Sequence, residues 1–183
     1  TQEGEAAEEL KAITGGRAAW RSRFAQDDFA LLASDPAVMS IAMPAAARLF
    51  ADNCAACHGV GGTGGPGFPS LADQDWLWGG DPATVAETVS AGINSTDPDT
   101  RSSQMPAFGR DGMLTREQIS AVADYVLTLS TAKPDPASEG GKIFADNCAA
   151  CHGEQGQGGL GAGAPSLADG QWIYGGTRTD ILT

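Results

Sequence analysis

Apolar positions along the chain fall in short blocks at helical spacing, parted by loops rich in glycine and proline. Thr115 and Gln118 form a capping-box pattern ahead of Ile119, Val122, Val126 and Leu129, which share one stripe and predict a helix that closes the first half of the molecule. Asp81 and Pro82 start a second helix over ATVAETVSA, with Val85, Val89 and Ile93 on one side and Gly92 as the stop. Two further short helices are expected, AAARLFADN opened by Pro44 and EGGKIFADN capped by Ser138. Residues 1–43 begin acidic and continue through Trp20, Phe24 and Phe29, a pattern expected for a partly helical connector, solvated or packed on a larger partner. Helices and loops, without strand signals, predict an all-α chain.

Internal repetition reorganises this picture. LFADNCAACHG at 49–59 recurs as IFADNCAACHG at 143–153, shifted by 94 positions, and PSLADQDWLWGG at 69–80 recurs as PSLADGQWIYGG at 165–176, shifted by 96. The second loop is therefore two residues longer. STAKPDPASEGG, with two prolines among small residues, reads as a linker. The expected organisation is a connector over 1–43, one domain over 44–132 and a second over 133–183.

Composition narrows the chemistry. The 183 residues carry 11 Lys and Arg against 23 Asp and Glu, a formal charge of −12. No basic cluster is present to displace phosphate counterions, so nucleic acid is excluded as a partner. No run of about 18 apolar residues exists that would span a bilayer. The opening TQEGEAAEEL has neither the basic start nor the apolar stretch of a secretory signal, and is not expected to be the start of the gene product. Aromatics are only 7% of residues while Gly numbers 25 and Pro 10, so side chains alone make thin cores that a cofactor can fill.

Every Cys and His belongs to a Cys-x-x-Cys-His motif: Cys54, Cys57 and His58, then Cys148, Cys151 and His152. Tight pairs followed at once by His match c-type haem attachment rather than two disulfides. Two thiols add to the two haem vinyl groups, and the adjacent imidazole meets one face of the iron from the same helical turn. A zinc site would have to pool ligands across about 90 residues, far wider than common zinc ribbons. A redox-active dithiol expects a βαβ context that is missing. Two covalently bound haems c are the expectation.

With no third His, bis-His coordination is excluded, and Met is the natural soft donor for the other iron face. Met105, in Gln104-Met105-Pro106-Ala107-Phe108-Gly109, is the expected ligand of the first haem; Met113 adjoins a helix start, where packing explains it. No Met follows His152, and the sequence ends inside what should be the next helix, so the second domain is expected to be incomplete at its C-terminus. The alternatives are a five-coordinate second iron, open to a diatomic gas, or a ligand borrowed from Met39, Met43 or Met113.

The loops GVGGTGGPGF and GEQGQGGLGAGA lack a Gly-Lys-Ser/Thr ending and so are not phosphate loops; glycine lets their backbone lie close to a flat cofactor. A backbone carbonyl in Pro69-Ser70-Leu71 or Pro165-Ser166-Leu167 is placed to accept the Nδ1 proton of His58 or His152. Trp76, Trp78, Trp172 and Tyr174 are candidates either to donate to haem propionates or to wall the crevice.

The two haem motifs, the GFPSLADQDWLWGG segment and the INSTDPDTRSSQMPAFGRDGML stretch together resemble the dihaem subunit, FixP or CcoP, of cbb3-type cytochrome c oxidases. That resemblance runs from about residue 30 to the end. It implies two tandem class I cytochrome c folds on the periplasmic side of a bacterial inner membrane. Electrons would pass from a cytochrome c or the bc1 complex toward the oxidase's catalytic subunit, beside a monohaem subunit, with no catalytic site in this chain. It implies Cys54, Cys57, His58 and Met105 at haem one and Cys148, Cys151 and His152 at haem two, with membrane attachment only through a segment not in this sequence. A free dihaem carrier similar to the c4 type, and a gas-binding or sensory haem protein, are the competing readings.

Overall fold

Why each element begins where it does follows from its caps. The computed structural model describes residues 4–8, 11–12, 14–15, 28–131, 133–159 and 161–182. Trp20 and Phe24 lie outside them. The chain divides into two units, Thr1–Ala56 and Cys57–Thr183.

In the first unit, α1 (Phe29–Ala33) is capped by Asp28, whose carboxylate accepts from Leu31 N. It packs on α2 (Pro36–Asn53). The expected start of that helix at Pro44 is corrected: α2 begins eight residues earlier, and Pro44 lies inside it. The reason is the stronger signal at Asp35-Pro36. Asp35 Oδ1 accepts from Ala37 N at 3.0 Å and Val38 N at 3.2 Å, and Pro36 takes the first helical position, where a missing N–H costs nothing. Among the described residues of this unit, Leu32, Val38 and Ala42 are buried.

Next in the chain comes α3 (Ala55–His58), the turn that carries the first motif. The second unit then contains α4 (Pro82–Ala91), α5 (Arg116–Thr131), α6 (Glu139–Asn147), α7 (Ala149–His152) and α8 (Arg178–Leu182). Among the described residues only isolated bridges occur and no strand, so the fold is all-α. The predicted caps form: Asp81 Oδ1 accepts from Thr84 N, Ser138 Oγ from Gly141 N, and Thr115 and Gln118 close the reciprocal box. The apolar side expected on α4 is not buried; Val89 is 81% exposed. This helix is held instead by its caps and by Arg101, which reaches Glu87 Oε2 at 3.1 Å.

The core of this unit is Tyr125, Val126 and Phe144, with Val122, Leu129, Leu167, Trp172 and Ile181 packed around them. Thus α5, expected to close the first repeat, shares its core with α6, the opening helix of the second, and also packs on α8. Gly140 decides this crossing: a Cβ there would collide with Ala121 O, and one at Gly141 would lie 2.6 Å from Asp135 O. The first repeat has Ala46 and Ala47 at the matching positions. Close helix approach is available only where the side chain is absent.

Candidate functional site

Each motif occupies a single turn after a helix, and the two are built alike. Cys54 caps α2, its N–H donating to Phe50 O at 2.8 Å; Cys148 caps α6, donating to Phe144 O at 2.8 Å. All four thiols are free, Cys54 and Cys148 half-buried, Cys57 and Cys151 exposed. Burial pushes the Cys148 thiol above its usual range, and the neighbouring Cys151 adds to the shift.

Beyond each motif the glycine-rich loop folds back on its histidine. Gly64 N donates to His58 O at 2.8 Å and Gly158 N to His152 O at 2.7 Å; Leu71 N and Leu167 N each close on a glycine carbonyl at 2.6 Å. Gly64 and Gly158 sit at φ +77° and +83°, and a Cβ at either would press on the following Ser70 or Ser166 amide. The fold-back delivers two proline carbonyls. His58 Nδ1 lies 2.9 Å from Pro69 O, and His152 Nδ1 2.9 Å from Pro165 O. A carbonyl only accepts, so each Nδ1 carries the proton and each Nε2 keeps its lone pair for a metal. His152 is buried; His58 is half-buried beside the edge of Phe68, ring centroids 6.0 Å apart.

This donor set fits haem c: two free thiols two residues apart, followed by an imidazole oriented through one nitrogen with the other available. Among the described residues no three His, Cys, Asp or Glu side chains gather as a metal cage.

The remaining candidates divide. Trp76 packs against Gly80, where a Cβ would lie 2.5 Å from Cδ1, and Trp172 packs likewise against Gly176. Trp172 also joins the core. Trp78 stands under the Arg101 guanidinium, 5.4 Å from the ring centroid. Met105 is 69% exposed in the irregular segment before the turn at Phe108, and Met113 is exposed beyond it. In the first unit Met39 is half-buried and Met43 exposed. A cleft of about 1060 Å³ is lined by Pro69, Trp76, Pro165, Trp172 and Tyr174, without the cysteines, His58, His152 or Met105. Arg101 and Ser103 were not legible as site residues; nothing in their local sequence marks the distant groups they touch.

A family model described as Cytochrome c matches residues 44–130 and 137–183. The chain is similar to cbb3-type cytochrome c oxidase subunit CcoP of Cereibacter sphaeroides, 46% identical over 176 residues, which cover 94% of this chain and 61% of that protein. It is also similar to subunit CcoP of Azospirillum sp., 42% identical over 183 residues covering 94% and 62%, and to subunit FixP of Sinorhizobium medicae, 43% identical over 170 residues covering 91% and 58%. The chain spans about three-fifths of the length of these relatives.

Proposed function

Because the chain belongs to the cytochrome c family, as two tandem cytochrome c domains, we propose that it is the electron-relaying part of a cbb3-type oxidase subunit. Two covalently bound haems c are its cofactors. The observation that carries this reading is the duplicated turn in which a free thiol pair precedes an imidazole held through Nδ1 by a proline carbonyl. Haem, when bound, supplies a one-electron ferric/ferrous couple. The protein's own part is positional. Cys54 with Cys57, and Cys148 with Cys151, tether the group; Pro69 and Pro165 lock the rings of His58 and His152 and raise their basicity toward a metal.

We assign Met105 as the residue that would hold the iron of the first domain opposite His58, Trp76 and Trp172 to the crevice walls, and the domain limits to 44–132 and 133–183, after a connector over 1–43. The partners in this reading are the oxidase's catalytic and monohaem subunits and a cytochrome c or bc1-type donor, on the periplasmic side of the inner membrane. Reaction with oxygen belongs to the catalytic subunit. No helix among the described residues is long and apolar enough to cross a membrane.

The test is the full-length subunit expressed in a host that matures c-type cytochromes. Its mass should exceed that of the polypeptide by two haems, and it should co-purify with the oxidase. A colourless product of bare polypeptide mass would overturn the assignment. A dihaem protein recovered free of the oxidase would favour the independent carrier.

A further inference from the structure

The two repeats touch through equivalent residues used reciprocally. In the 96-residue register of the second repeat segment, Gly67 matches Gly163, Leu77 matches Ile173 and Trp78 matches Tyr174. Trp78 covers Gly163, at φ +61°, so closely that a Cβ there would overlap the indole. On the other side Tyr174 lies near Gly67, at φ +80°, where an added Cβ would lie 3.9 Å from Cε1. A hydrogen bond accompanies each contact. Gly67 N donates to Ile173 O at 2.8 Å, and Ser103 Oγ donates to Ala162 O at 2.9 Å, beside Gly163.

The tighter side is braced from behind. Arg101, with 21% of its side chain exposed, lies over the Trp78 ring and bonds Thr84 O and Glu87. Asn94 holds Ser103 by two bonds, Nδ2 to Ser103 O at 2.7 Å and Ser103 N to Oδ1 at 3.0 Å. Such a contact is specific in a way that apolar adhesion is not: a flat ring against bare backbone admits one separation, and any side chain on the glycine changes it. The cleft described above is lined by equivalent residues of both repeats, Pro69 and Trp76 with Pro165 and Trp172.

We propose that this reciprocal aromatic-on-glycine contact, Trp78 with Gly163 and Tyr174 with Gly67, is the positioning element that sets the separation of the two haem-bearing repeats. The inference rests on the proposed presence of two haems. With two haems bound, one electron would pass from the reduced to the oxidised haem with no bond broken and no proton transferred, so separation and orientation are what the protein's residues would control. Trp78, Tyr174, Gly67 and Gly163 act through the haems' spacing, and are positioning residues.

The experiment uses the full-length subunit in the assembled oxidase, with G163A, W78A and the exposed-side Y174A. Mass and optical spectra first count the haems; fewer than two in the unaltered protein overturns this inference together with the function it rests on. With two haems present, magnetic coupling between the ferric irons should weaken in G163A and W78A, and electron equilibration between haems should slow measurably, since both fall off with separation. Y174A should show a smaller effect in the same direction. Unchanged coupling and equilibration in both G163A and W78A would overturn the inference while leaving the dihaem function standing.

Discussion

A single hydrogen bond shows how the residue scale works here. The imidazole at His152 could rotate or exchange tautomers, but Pro165 O accepts from Nδ1 and removes both freedoms. That carbonyl is placed by Gly158, whose φ of +83° and contact with the Ser166 amide leave no room for a side chain. G158A should therefore destabilise the second unit by about 1–3 kcal/mol through backbone strain, read as a lowered melting temperature, and, in the haem-loaded protein, shift the reduction potential. An unchanged melt and potential would mean the turn tolerates the added methyl. At the first site, M105A should lower the haem potential and open the iron to carbon monoxide; an unaltered difference spectrum would reject Met105 as ligand.

Among elements, the caps were legible in the sequence and the packing was not. Asp81, Thr115 with Gln118, and Ser138 each announce a helix start because the carboxylate, hydroxyl or amide and the N–H it serves are three residues apart at most. Pro44 misled because it too is an N-terminal signal; Asp35-Pro36 prevailed, since two capping bonds and a pre-set φ outweigh one interior defect. P44A should then restore the bond its ring forfeits and raise helix stability by about 1 kcal/mol or more. A lower melting temperature would instead show that the proline shapes a needed bend. F144A removes the most deeply buried large side chain of the core and should cost about 3–5 kcal/mol in denaturant unfolding. A loss below 1 kcal/mol would show the α5–α6 core to be unimportant.

Over the whole molecule, charge and long-range ties take over. Arg178 on α8 reaches back to Asp124 and Ser120 on α5, and its guanidinium holds the Asp124 carboxyl below the ordinary carboxylate range. A depressed folded-state pKa contributes stability that is present above the unfolded value and lost as pH falls through the folded one. Melting temperatures taken from neutral to acid pH should decline less steeply for R178Q than for the unaltered protein, a small difference because both side chains are about half exposed. Parallel curves would show the pair to be idle. The −12 charge should draw a basic electron donor, so its rate of reduction of the full-length subunit should fall with ionic strength, and a flat dependence would reject steering.

The chemistry was written in the sequence by itself because it is local. Cys-x-x-Cys-His occupies one helical turn, and the proline whose carbonyl holds each ring lies 11 or 13 residues downstream, within a loop that the glycines close on themselves. Partnership between distant elements was decided only by the tertiary structure. That α5 crosses α6 depends on Gly140 meeting Ala121, and that Trp78 lies on Gly163 depends on a ring and a bare backbone 85 residues apart. Both are contacts of shape, made where a side chain is missing, and an absent side chain gives no periodic signal from which its distant neighbour can be read.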